Sequence, residues 1–319
     1  EWTNLPSRTS DPVGLRETVK RLHRLFEDLG MKKVEGSSDD RAVHVWQTPK
    51  GFEGGTLCIG HADVPIGPSE HRQPFRRDPE WVYGEGVASA KAPLVTLEFA
   101  LRALRSLRRL RQLPIGVLYY TDEGADCRYS GELIRNAAAK ASRVLVLRSG
   151  IERDSIVTQR RGRRKYRLIV EDAPRRPGRT RKRLELPHWV GVKIDEFAQL
   201  GSKEKSLSVS TADLQTKAYA SLLPHSITAT LLVTYLDQKA ADALESTMRK
   251  TLGKRGPSWE LELISDRPPM KERRGSLKLA KEIEDVAVDW EMPLRHRSSL
   301  APSAAGLVPE EVAAVCGVG

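Results

Sequence analysis

Four short stretches of the chain hold side chains that could do chemistry. GHAD (60–63) sets an imidazole, His61, two residues before a carboxylate, Asp63. YGEGVASAK (83–91) is a glycine-rich turn carrying a hydroxyl, Ser89, and an amine, Lys91. TDEG (121–124) offers Asp122 and Glu123 ahead of Gly124, and VLVLR (144–148) ends an apolar run on Arg148. Imidazoles and carboxylates ligate divalent metals or move protons. A hydroxyl beside an oriented imidazole is a nucleophile. Arg148 and Lys91 are binding candidates for anionic groups.

Apolar runs precede or carry three of these stretches. TLCIG (56–60), IGVLYY (115–120) and RVLVL (143–147) read as strands, apolar throughout as strands buried on both faces are. AVHVWQ (42–47) is a further strand. Asp11-Pro12 is a helix start, a capping residue followed by proline in the first turn. Leu15, Val19, Leu22, Phe26 and Leu29 then recur at helical steps and Gly30 closes the helix. The spacing of Leu94, Leu97, Leu101 and Leu104 predicts a helix over 94–110, with Arg102, Arg105 and Arg109 on a solvent face. GELIRNAAAKA (131–141) is helical too. Helices alternating with apolar strands predict an α/β class, a mostly parallel sheet flanked by helices.

The order changes after about residue 160. Strand 165–170, helix 189–200, strands 206–214 and 227–236, helix 238–253 and strand 258–265 follow in turn. This β-α-β-β-α-β order builds a four-stranded sheet with two helices on one face. We therefore expect one α/β domain from 1–160 and 268–319, interrupted by an inserted α+β domain at 161–267. Helix 276–290 returns the chain to the first domain.

Composition narrows the class further. Of 319 residues, 39% are hydrophobic and 30% charged, enough for a sizeable core under a solvated surface. No apolar run approaches membrane-spanning length, and no basic-then-apolar leader opens the chain. The first residue is Glu1 rather than Met, so removal of an upstream piece is expected. Cys58, Cys127 and Cys316 are few and scattered. They argue against a disulfide framework or a zinc ribbon and for a reducing, cytoplasmic location. Net charge is +11, and Arg160 to Arg183 holds twelve Lys/Arg against two acids. One reading of that segment is a contact for an acidic macromolecule; the other is a solvated loop and strand edge that resists pairing.

Taken in order, GHAD, YGEGVASAK, TDEG and the strand ending at Arg148 resemble the family of zinc-dependent aminoacylases, glutamate carboxypeptidases and succinyl-diaminopimelate desuccinylases. The resemblance extends over nearly the whole chain, because the inserted unit is similar to that family's lid or dimerisation domain. It implies a zinc-exopeptidase-like fold and hydrolysis of N-acyl-amino acids or peptides at two metal ions. Their bound water is acidified and the amide carbonyl polarised. His61 then matches a metal ligand, Asp63 the acid that orients it, and Glu123 the general base.

The match is incomplete where the metals would be held. Ser89 stands at the bridging aspartate, Gly124 at a ligand glutamate and Arg148 at a ligand carboxylate. The lid histidine is replaced by EDAPRRPG (171–178), and the chain reaches Gly319 before a final histidine. Carboxylates are needed to neutralise two divalent ions, which a hydroxyl cannot do and a guanidinium opposes. The expectation is a pseudoenzyme with no metal cofactor, its Arg148 paired with Glu123 or Asp63. Two alternatives remain: a hydrolase using one zinc at His61, or one using Ser89, His61 and Asp63 as nucleophile, base and orienting acid. A homodimer through the inserted domain and a small amino-acid or peptide derivative in the cleft are the expected partners.

Overall fold

The computed structural model describes residues 2–34, 42–67, 70–152, 154–178, 184–204, 206–217 and 219–319. The end of the basic segment, 179–183, lies outside the described residues. Two compact units make up the chain: Glu1–Arg160 with Met270–Ser299 and Ser303–Gly319, and Arg161–Pro269 with Leu300–Pro302.

In the first unit, α1 (Pro12–Asp28) leads to β1 (Lys32–Lys33), β2 (Val43–Gln47) and β3 (Thr56–His61). A small ribbon of β4 (Arg76–Arg77) and β5 (Val82–Tyr83) comes next, then α2 (Ala92–Ser106), β6 (Ile115–Tyr120), α3 (Gly131–Ala138), β7 (Arg143–Val146) and β8 (Ser155–Arg160). The second unit holds β9 (Gly162–Glu171), α4 (Leu186–Gln199), β10 (Ser208–Thr216), β11 (Ser226–Tyr235), α5 (Gln238–Leu252) and β12 (Ser258–Arg267). The first unit is completed by α6 (Arg274–Asp289), β13 (Arg295–Ser299) and β14 (Ala313–Cys316).

The large sheet runs β1-β2-β6-β3-β7-β14-β8-β13. Its centre is parallel through β6, β3, β7 and β14, whereas β1 and β2 join antiparallel at one side. Alternate residues of the central strands feed opposite faces. Leu57, Ile59, Val144 and Val146 pack with Ile134 and Ala138 of α3. Cys58, Val117 and Tyr119 pack with Leu22 and Phe26 of α1 and Leu97 and Leu101 of α2. Asp11 caps α1 by accepting from the Val13 and Gly14 amides, as its place before Pro12 suggested. The helix expected over 94–110 stops at Ser106. Arg108 is left-handed there, with φ 56°, and Leu110 is buried in a separate short turn. The leucine spacing outlasts the helix because that turn also faces the core.

In the second unit the sheet order is β10-β11-β9-β12, all antiparallel. Buried residues alternate along β9 and β11 and share a core with α4 and α5. The strand-edge reading of the basic segment is corrected here, since β9 pairs along its length with both β11 and β12. Strand β8 and the late strands β13 and β14 were not anticipated. Strand β13 reads RHRSS, exposed along an edge, and β14 is only AAVC. Neither length nor alternation marks such short segments as strands.

Candidate functional site

Strands β6, β3 and β7 lie side by side, and the chemistry-bearing residues gather at their carboxyl ends. His61 pairs in register with Tyr120, and Ile59 with Val146 two residues before Arg148. That edge of a parallel sheet is where α/β folds place ligands. The TDEG turn follows β6 directly and brings Glu123 over it.

Glu123 is buried and fully engaged. Arg148 Nη1 donates to Glu123 Oε1 at 2.8 Å, and the Tyr120 hydroxyl donates to Oε2 at 2.8 Å. Cys127 Sγ sits 3.8 Å from the same Oε2. Burial works against the charged guanidinium of Arg148, but Glu123, together with Tyr120 and Cys316, outweighs it and the arginine pKa rises. Of the two partners expected for Arg148, Glu123 is the one it takes.

Asp63 is spent on the turn. Its Oδ1 accepts from the Glu123 amide at 3.1 Å, and its Oδ2 from the Gly124 amide at 3.0 Å and the Thr9 hydroxyl at 2.6 Å. The expectation that its carboxylate orients His61 needs correction. His61 Nδ1 donates to the Asp63 main-chain carbonyl at 2.8 Å, while the carboxylate lies at 3.7 Å. A carbonyl only accepts, so Nδ1 carries a ring proton and donates it. Nε2 is buried and has no hydrogen-bond partner among the described residues.

Ser89 and Lys91 lie on a π-helical turn, Val87–Lys91, entered through Gly86 at φ 66°. A Cβ on Gly86 would fall 2.4 Å from Val64 Cγ2, so only glycine fits against the GHAD loop. Ser89 is half-buried and makes no hydrogen bond to His61 among the described residues. The Ser89–His61–Asp63 relay is thus not assembled in this structure. Lys91, expected at a binding surface, is 4% exposed and donates to the Leu5 carbonyl at 2.9 Å. Burial lowers its pKa, with Glu85 acting against that. It ties the N-terminal segment to the π-helical turn.

Gly124 is tightly boxed. A Cβ there would sit 2.3 Å from Thr9 Oγ1. Asp122 accepts from the Tyr129 and Ser130 amides at 2.9 and 3.1 Å, and burial pushes its pKa up. Two partners went unnoticed in the sequence. Thr9 binds Asp63, and Arg8 forks onto Glu85, with Nε to Oε2 at 3.1 Å and Nη2 to Oε1 at 2.5 Å. A carboxylate between two glycines, Gly84-Glu85-Gly86, was the signal available for the second. Beside the site, Thr9 and Asp122 also line a groove of about 680 Å³ with His23, His44 and Tyr129. His61, Glu123 and Arg148 are not among its lining. Among the described residues, no group of three or more His, Cys, Asp or Glu is disposed to hold a metal ion.

Solved structures share this architecture. A tripeptidase from Staphylococcus aureus superposes with a TM-score of 0.74 at 13% identity, covering 99% of this chain and 86% of its own. Human carnosine dipeptidase 1 gives 0.73 at 12% identity, with 99% and 87% covered. An M20 family metallo-carboxypeptidase from Sulfolobus solfataricus gives 0.70 at 17% identity, with 100% and 89% covered. The chain has the zinc-exopeptidase fold. No family model matches the sequence, and no curated protein matches it. At these identities the exopeptidase fold is what is shared, and the chemistry rests on the residues above.

Proposed function

We propose that this chain uses the exopeptidase fold without the two-metal chemistry, as a non-catalytic binding or assembly protein. The Arg148–Glu123 pair carries the reading. The residue matching a general base is held by a guanidinium and a phenol, at a position where a metal-activated water would need it free. The donor set agrees. Ser89, Gly124 and Arg148 stand at three ligand positions, and Gly124 is packed against Thr9 so that a longer side chain cannot enter without moving it. These residues do not fit a dinuclear centre. The test is elemental analysis of the purified chain together with an N-acyl-amino acid and dipeptide hydrolysis screen with added zinc. Sub-stoichiometric metal and no turnover are expected; two zinc ions per chain, or zinc-dependent release of amino acid, would overturn the proposal.

One observation favours a second reading. His61 Nε2 is buried and unpartnered, with Nδ1 held by a carbonyl. That is how a metal-binding imidazole is commonly set, so a single zinc at His61 supporting amide hydrolysis is the alternative. One zinc per chain, lost in His61→Ala, would establish it.

Assembly is proposed through the inserted unit. Strand β10 is the edge of its sheet and is exposed from Ser210 to Thr216, an open row of backbone groups that a second copy could pair with. Light scattering after gel filtration would return twice the monomer mass. A cleft ligand of amino-acid or peptide type is part of the same proposal, with Arg148 as its anion contact. Binding of an acidic macromolecule through Arg160–Arg183 receives less support, since Arg164 and Arg175 are committed to Asp242, Asp266 and Asp172. Three free, buried cysteines support a reducing cytoplasm. Among the described residues no helix is long and apolar enough to cross a membrane.

A further inference from the structure

A second site lies in the first unit, where α1 and α2 end. A pocket of about 340 Å³ is lined by Leu29, Leu110 and three arginines, Arg105, Arg108 and Arg111. Among the described residues, no carboxylate lines it. Arg105 donates to the Asp28 carbonyl, and its last-turn position also suits the negative end of the α2 dipole. That accounts for Arg105 alone. Arg111 lies against Gly30, its Nη2 3.6 Å from where a Cβ on that glycine would be. Neither Arg108 nor Arg111 forms an ion pair or side-chain hydrogen bond among the described residues.

Arg108 is the informative residue. The Arg109 amide bonds the Leu104 carbonyl and the Arg108 amide bonds that of Arg105, closing α2 in a left-handed turn. Glycine or asparagine ordinarily takes that position, because a side chain there is strained. Here an arginine sits at φ 56°, beside two further arginines and an apolar floor. Three exposed arginines lining one pocket, one of them on a left-handed backbone and with no carboxylate among the described lining, suit a bound anion.

We propose that this pocket binds a small molecule bearing two adjoining phosphoryl groups. Guanidinium forks match phosphoryl oxygens two at a time, and a pyrophosphate presents enough oxygens for three of them. The concave shape and the lack of an aromatic platform in the lining speak for a compact ligand over a nucleic-acid strand, which needs an extended track and stacking faces. The site is separate from the β3–β6–β7 edge, so it stands whether or not the chain is a pseudoenzyme.

Calorimetric titration of the full chain with inorganic pyrophosphate at physiological salt tests it, with orthophosphate and a short DNA duplex as the other arms. Saturable one-site binding is expected, with orthophosphate weaker. Arg108→Gln and Arg111→Gln should each weaken pyrophosphate about tenfold. Arg108→Gly should weaken it similarly while raising the melting temperature, a combination that a merely structural arginine would not produce. Absence of saturable binding, variants that bind pyrophosphate like the parent, or a duplex whose binding alone depends on these arginines would each overturn the assignment.

Discussion

Arg148 puts a fixed positive charge beside Glu123, at 2.8 Å. Its partner Glu123 has a side chain only 5% exposed, so the pair is desolvated on the carboxylate side. Removing one member of such a pair costs more than the pair contributes, because the other is left uncompensated. Arg148→Ala should therefore lower unfolding free energy by ~3 kcal/mol, and Glu123→Gln in the same chain should recover much of it; urea denaturation of both variants checks this. Asp122 gives a pH test. Its folded pKa is raised by burial above the ordinary 3.8. Its contribution is thus fully present below that value and is lost as pH rises through the higher folded value. Asp122→Asn, which can still accept from the Tyr129 and Ser130 amides, should flatten that part of the stability profile. Unchanged pH dependence in the variant would refute the assignment.

Among the elements, α1 and β9 show how local and distant causes divide. Asp11 caps α1 from its own sequence neighbourhood, and Asp11→Ala should cost about 1 kcal/mol, read as a lower melting temperature. Strand β9 carries a buried arginine, Arg164, beside the apolar core of the second unit. Arg164 is held by Asp266 at 2.9 Å and Asp242 at 2.5 Å, and its guanidinium lies 5.5 Å from the Tyr235 ring centre. These partners raise its pKa despite burial. Arg164→Ala should destabilise the inserted unit by ~3 kcal/mol, detectable by hydrogen exchange across β9, β11 and β12. An effect below about 0.5 kcal/mol would mean that solvent around the exposed Asp242 already screens the contact.

At the scale of the whole molecule, metal dependence is testable through stability. Metal held only by the folded state stabilises it by mass action. If the pseudoenzyme reading holds, prolonged chelation should leave the melting temperature within about 1 °C of the untreated chain. A large drop would return a structural or catalytic metal to the account. Net charge belongs to this scale too. Part of the +11 excess is neutralised within β9, where Arg164 pairs with Asp242 and Asp266 and Arg167 with Glu262.

What the sequence determined by itself was periodic and local. Helical spacing in α1, apolar strands ending at His61, Tyr120 and Val146, and the β-α-β-β-α-β order of the insert were all legible, because period and capping act over a few residues. Tertiary structure decided what the side chains do. Thr9 meets Asp63 across 54 residues and Arg164 meets Asp266 across 102, distances over which no local pattern carries information. The same holds for Lys91, which is buried and donates to the Leu5 carbonyl across 86 residues. Composition says which charges exist; only packing says which of them are already neutralised.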